Sequence, residues 1–226
     1  MQDIVLLGAG GQAKDMLKNI EEYNADQLSR QKRFNVLGCF DDVNKVKPGD
    51  SLMGYSILPS IKCFERKPFR NARAICAIGD PVGKKVVVEK IRRYKVKFFN
   101  LIHPSIKIHP TVKLGTGVSI FYCSVISAIC NIGDHVSINY LCSMSHDCYL
   151  GSYATFAPGV KIAGGGRLGE GVFMGINSCT IHNINIGRWS IIGAGTAVIK
   201  DIPSNVIVAG NPPKELGKRD MRYRVF

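Results

Sequence analysis

The sequence predicts two architectures in series: an α/β unit over residues 1–101, then an all-β solenoid of six-residue repeats over 102–203, closed by a short cap at 204–226. Three observations predict them. An apolar residue stands at every sixth position from Ile102 through Ile120, Ile138, Phe156 and Met174 to Val198; sixteen of the seventeen positions are apolar, Thr180 is the exception, and no insertion shifts the phase. Small residues dominate a companion series four residues further on, as at Val118, Cys130, Val136, Cys142, Cys148, Ala154 and Thr196. Ahead of both, a strand-like run from Ile4 to Leu7 enters a glycine-rich turn and then a helical pattern.

A period of six suits neither an α-helix, which repeats every ~3.6 residues, nor a flat strand, which repeats every ~2. It suits a coil of short strands that turns a corner in each hexapeptide and points one aliphatic side chain inward. Gly directly after the apolar ladder, at Gly115, Gly133, Gly151, Gly169, Gly175, Gly187 and Gly193, is expected to relieve the backbone where positive φ penalises other residues. A β-sandwich would need turn signals every 8–12 residues or so and would drift in phase.

In the first unit, Ile4–Leu7 reads as a buried strand. Gly8-Ala9-Gly10-Gly11-Gln12-Ala13 follows, and a helix with Met16, Leu17 and Ile20 on its apolar face continues to about Tyr23. Free N–H groups and the helix dipole at such a turn favour an anion such as phosphate. The spacing departs from the dinucleotide fingerprint, whose third Gly falls at Ala13, and a purely structural tight turn is the alternative reading. Phe34–Phe40 reads as a second strand ending in Asp41-Asp42, acids that meet a ribose or base in such folds or else sit in a solvated turn. A loop from Pro48 to Pro59 holds a short strand near Tyr55–Leu58. Ala72–Ile78 is a buried strand leading to Gly79-Asp80-Pro81, Val82–Tyr94 a helix with a basic outer face, and Val96–Leu101 a last strand running into the repeat. The unit has room for one nucleotide rather than two, which argues against a dinucleotide-dependent dehydrogenase and for a nucleotide-sugar. Past the repeat, Asp201-Ile202-Pro203 ends the coil, Val206–Ala209 reads as a strand, Gly210-Asn211-Pro212-Pro213-Lys214 follows, and the basic tail Glu215–Phe226 is expected to be a capping helix.

Composition narrows the class. Hydrophobic residues make up 46% and charged residues 21%, a globular balance with no apolar run of the ~18 residues that a membrane span needs. With no basic leader or cleavage site before the first strand, a cytoplasmic protein is expected. The formal charge of +13 favours anionic partners. Few aromatics and no recognition motif speak against nucleic acid; phosphorylated small molecules such as a nucleotide-sugar and coenzyme A, or a membrane surface, account for the sign as well. The eight cysteines form no CxxC pair, and those on the companion ladder are expected to be reduced core thiols.

Of five histidines, His103 and His109 open the repeat and read as structural or interdomain, His135 as a solvated corner residue, and His182 as near a ligand without anything to specify it. His146 alone has an acid beside it, in Ser145-His146-Asp147, and an adjacent carboxylate fixes the imidazole tautomer and raises its basicity. Asn139, one repeat earlier, is expected to share its surface.

The repeat resembles the left-handed β-helix of hexapeptide-repeat acyltransferases, whose crossovers depart from the usual right-handed rule. Across essentially its whole length the chain resembles the PglD/NeuD-type bacterial sugar acetyltransferases. The matching residues are the strand-loop Ile4-Val5-Leu6-Leu7-Gly8-Ala9-Gly10-Gly11, the bridge Asn100-Leu101-Ile102-His103-Pro104, His146-Asp147, Gly175-Ile176-Asn177-Ser178-Cys179 and Gly210-Asn211-Pro212-Pro213-Lys214. The resemblance implies acetyl transfer from acetyl-CoA, without metal, to the amine of a nucleotide-linked 4-amino-4,6-dideoxy sugar. It implies His146 as general base, Asp147 as its orienting acid and Asn139 as a polar active-site residue. Gly164 would steady the oxyanion through its N–H, Ile176 and Ala194 would line the CoA arm, and Gly210 and Lys214 would lie near its far end. Gly8, Gly10, Gly11, Gln12, Asp41, Asp42 and Gly79 would hold the nucleotide-sugar, with Gln12 standing where the family often has histidine. A homotrimer with sites at subunit boundaries is implied. O-acetylation of a sialic-acid-type sugar and a non-catalytic β-helical scaffold are the alternatives.

Overall fold

A computed structural model describes residues 1–25, 33–41, 47, 49–58 and 60–221. The chain divides into two compact units, Met1–Gly79 with Gly83–Pro104, and Asp80–Val82 with Ser105–Phe226.

The first unit is built on a five-stranded sheet of order β3-β4-β2-β1-β5: β1 Gln2–Leu7, β2 Phe34–Phe40, β3 Ser51–Leu52, β4 Tyr55–Leu58 and β5 Arg73–Cys76. All pairings are parallel except the β3–β4 hairpin at the edge. Ile4–Leu7 are fully buried, as a central parallel strand covered on both faces must be. Helix α1, Gly11–Ala25, buries Ala13, Met16, Leu17, Ile20 and Tyr23, the stripe that its apolar spacing anticipates. Helix α2, Pro81–Ile91, continues into a 3-10 turn at Arg92–Tyr94; Lys90, Arg92 and Arg93 are exposed, while Lys84 is fully buried and Val86 half exposed. The last expected strand, Val96–Leu101, shrinks to an isolated bridge between Phe98 and Ala74 and a two-residue strand, Leu101–Ile102. Lys95, in the left-handed conformation just before it, caps the preceding turn.

The second unit is a parallel β-helix. From Lys113 to Val198 the two-residue strands pair at a spacing of 18 residues, so three hexapeptides make one coil. The first face carries Lys113–Leu114, Asn131–Ile132, Tyr149–Leu150, Arg167–Leu168 and Asn185–Ile186; the second Ser119–Ile120, Ser137–Ile138, Thr155–Phe156, Phe173–Met174 and Ile191–Ile192; the third Val125–Ile126, Ser143–Met144, Lys161–Ile162, Cys179–Thr180 and Ala197–Val198. The apolar ladder points inward, and the companion ladder fills the space beside it: Val118, Cys130, Val136, Cys142, Cys148, Ala154, Val160 and Val172 are buried. The cysteines are free thiols, and burial pushes that of Cys142 up to about 11.

Two expectations about the corners change. The glycines that follow the ladder do not have positive φ. A Cβ at Gly133 would lie 2.6 Å from the Ser152 nitrogen, and one at Gly169 2.6 Å from that of Arg188, so these glycines let successive coils approach. The left-handed conformation falls two residues later, and there Ile129, Leu141, Asp147 and Tyr153 adopt it as well as Gly165 and Gly171. His135 also takes it and is buried rather than solvated, its ring lying over Gly117 and stacked on Tyr153 at 5.4 Å. The tail forms no helix among the described residues: Lys214–Lys218 is a strand antiparallel to Val206–Ala209. Val206–Ala209 leaves a row of peptide groups unpaired at the end of the second face, and pairing satisfies them more directly than a helix would.

Candidate active site

In the first unit the anticipated loops gather at the carboxyl ends of β2, β1 and β5. Gly8 leaves β1 and donates its N–H to Phe40 O (2.8 Å); Asp41 follows β2; Gly79 lies just beyond β5. The strand order reverses between β1 and β5, the position at which open α/β sheets bind ligands. The glycines differ in their reasons. Gly8 has φ +127°, and a Cβ there would stand 2.7 Å from Ala77 O, so packing alone demands glycine. At Gly10 and Gly11 a Cβ would meet nothing within 4 Å. Helix α1 begins at Gly11 with no acid in its first turn, which leaves its positive end unneutralised by its own side chains. Gln12 is half-buried in that turn. Asp42 lies outside the described residues.

In the β-helix each residue belongs to one of three edges. The edge from third to first face carries His146 and Asp147, and one coil on, Gly164. Asp147 adopts φ +60°, which turns its carboxylate back to its neighbour: Oδ2 lies 2.7 Å from His146 Nδ1. With the proton on Nδ1 donated to Asp147, Nε2 keeps its lone pair and can accept a proton. Both side chains are more than half exposed, so the imidazole is reachable. The imidazole leans toward the following coil and lies against Gly164, where a Cβ would stand 2.7 Å from Cε1 and 2.8 Å from Nε2. Any side chain at 164 would displace it. The Ala163 carbonyl accepts from Gly166 N (3.3 Å) and from the buried Cys148 Sγ (3.5 Å), hence points inward. In a trans peptide the next N–H points the opposite way, so that of Gly164 faces outward.

The edge from second to third face carries Asn139, Ile176 and Ala194. Gly210 closes its upper end, donating to Thr196 Oγ1 at 3.2 Å, and Asn211 bridges Ala197 N and Gly195 O. Ile176 and Ala194 are exposed and Asn139 is buried. Asn139 therefore does not share the surface of His146 within one chain. One hexapeptide advances the chain by a face, and only 18 residues return it to the same edge. Lys214, exposed, opens the terminal strand. The edge of His146 continues through Gly164 to His182, which sequence reasoning left without a place, and to Lys200, which it missed; both are exposed. A period of 18 is the signal that finds them. An open groove on the first face, lined by Tyr149, Arg167, Asn185, Arg188 and Asp201 among others, holds none of the anticipated residues. Among the described residues no helix is long and apolar enough to cross a membrane.

Residues 3–91 match the PglD N-terminal domain family. A GDP-perosamine N-acetyltransferase of Escherichia coli O157:H7 is 29% identical over 77% of this chain and 80% of its own. The crystal structure of PerB from Caulobacter crescentus in complex with CoA and GDP-perosamine superposes with a TM-score of 0.81 at 29% identity, covering 96% of this chain and 98% of that one. WeeI from Acinetobacter baumannii AYE gives 0.82 at 26% identity over 96% and 100%. The chain thus places a domain matching the PglD N-terminal family before a β-helix of 18-residue coils, and its fold is that of PerB and WeeI.

Proposed function

We propose that the protein is an acetyl-CoA-dependent N-acetyltransferase acting on the amine of a nucleotide-linked 4-amino-4,6-dideoxy sugar. The observation that carries this reading is the His146–Asp147 pair laid against Gly164: an oriented base beside an outward amide donor. The similarity to a GDP-perosamine N-acetyltransferase supports the substrate class.

In this mechanism the sugar amine attacks the thioester carbonyl, forming the C–N bond. His146 Nε2 takes the proton the amine loses, and Asp147 balances the imidazolium. The carbonyl oxygen gathers negative charge, which the Gly164 N–H stabilises; loss of one such donor costs roughly 2.7–4 kcal/mol elsewhere. The C–S bond breaks, and the departing CoA thiolate takes the proton from His146. Gly8–Gln12, Asp41 and Gly79 would hold the nucleotide at the carboxyl ends of the strands, in the cytoplasm where both substrates are expected.

The reading includes a homotrimer. Val125, Ile129, Leu141, Ile176, Ile181 and Ile199 are large exposed apolar side chains on the third face or its two edges, a pattern that suits packing against further copies. Association there would bring the His146 edge of one copy to the Asn139, Ile176 and Ala194 edge of the next, with CoA between.

The test is a thiol-release assay across UDP-, dTDP- and GDP-linked 4-amino sugars. Acetyl-CoA consumption is expected only with an amino-sugar nucleotide present, and His146→Ala is expected to lower kcat by about 10²–10⁴. Turnover with hydroxyl sugars alone, or full activity of His146→Ala, would refute the assignment.

A further inference from the structure

We propose that Thr180 is a positioning residue that sets the direction of the Gly164 N–H. This rests on the reading of Gly164 as the oxyanion donor. Thr180 is the one polar residue on a ladder otherwise apolar throughout, and it is buried. On the third face the residue after each strand donates its N–H to the ladder carbonyl one coil on: Ser127 to Met144 O and Ser145 to Ile162 O, each at 2.9 Å, and Ile181 to Val198 O at 3.1 Å. Ala163 departs from this rule. Its N–H goes to the Thr180 side chain, Oγ1, at 3.1 Å. The ladder registers the change: Lys161 pairs with Cys179, but Ile162 and Thr180 do not pair, whereas the other strand pairs on this face each carry two partners.

The departure falls one residue before Gly164. Ala163 is held at its N–H by the Thr180 hydroxyl and at its carbonyl by Gly166 N and Cys148 Sγ. Those two anchors fix the peptide whose N–H is that of Gly164. An aliphatic residue at 180 would return the Ala163 N–H to a backbone acceptor, rotate the Ile162–Ala163 peptide and carry the next peptide with it. The coil elsewhere shows that such a residue is what packing prefers, so the hydroxyl serves the corner above His146 rather than the core.

Thr180→Val tests this, because it restores the ladder and removes only the anchor. With a substrate pair that the wild type turns over, kcat is expected to fall about tenfold or more, short of the ~10²–10³ that follows loss of an oxyanion donor. KM for both substrates and the melting temperature should stay at wild-type values, and Thr180→Ser should restore kcat. Wild-type kcat in Thr180→Val, or a loss that Ser does not rescue and that tracks a fall in melting temperature, would overturn the proposal. Amide NMR of Gly164 and Ala163 gives a readout independent of turnover: both resonances should move in Thr180→Val and not in Thr180→Ser, and unmoved resonances sink the idea even if no substrate is found. Failure of every amino sugar with the wild type refutes the proposed function alone. Should Thr180→Val not fold, Thr180→Ala, which adds no methyl group, carries the same comparison.

Discussion

Two edges of the β-helix share one backbone repeat and use glycine for opposite reasons. Between the first and second faces, glycine follows the ladder in five successive coils, at Gly115, Gly133, Gly151, Gly169 and Gly187, and a Cβ there would strike the main chain of the next coil. Between the third and first faces that position holds Ser127, Ser145, Ala163, Ile181 and Ile199, so backbone approach there leaves room for side chains. Of the glycines on that edge, Gly164 is the one whose Cβ would meet the imidazole of His146. Main chain cannot yield and a solvent-facing ring can. The first glycines serve the packing of coil on coil, and Gly164 makes room for the imidazole of His146.

Paired substitutions sharpen this contrast. Gly164→Ala should fold, because the exposed ring can swing away, and should lose about 10²-fold in kcat as the base leaves its position. Gly169→Ala should do the reverse: overpacking against Arg188 N destabilises by about 1–3 kcal/mol, with turnover per folded molecule kept. Melting curves beside steady-state rates separate the two, and equal stability losses would break the comparison. Asp147→Asn should have a smaller effect, about tenfold in kcat, the equivalent of one charge-assisted hydrogen bond of ~1.5 kcal/mol. Steady-state rates check it: an unchanged kcat would mean that Asp147 does not orient the imidazole.

The smallest effect lies at the top of the same edge. Asp201 accepts from Asn185 N at 2.8 Å and Asn185 Nδ2 at 2.9 Å, and these bonds hold its carboxyl below the usual carboxylate range. A depressed folded value means that the stabilisation is present above the unfolded value of ~3.9 and is lost as pH falls through the folded one. Thermal melts of wild type and Asp201→Asn should therefore differ slightly at neutral pH and converge in acid. A difference that widens in acid would contradict the assignment.

The solenoid was legible because burial leaves a local trace. Each strand must hide one side chain, so the ladder from Ile102 to Val198 is written into the chain at a constant interval. The strand–glycine turn–helix of the first unit was legible for the same reason, in Ile4–Leu7 and in the apolar stripe of α1. The His146–Asp147 pair could be read because its members are adjacent in sequence. Expectations failed where a neighbour in space decides. His135 is buried under a ring three hexapeptides away, and the tail becomes a strand because a strand edge awaits it.

What the amino-acid order determined by itself is therefore the period of six, the two kinds of unit and the adjacent His146–Asp147 pair. What only the tertiary structure decided is the period of 18: that Gly164 and not Asn139 stands beside His146, and that Thr180 reaches Ala163. The physical reason is that inward burial is satisfied by each hexapeptide in turn, whereas edge neighbours are set by hydrogen bonds between coils, which form only after the chain has completed a full turn.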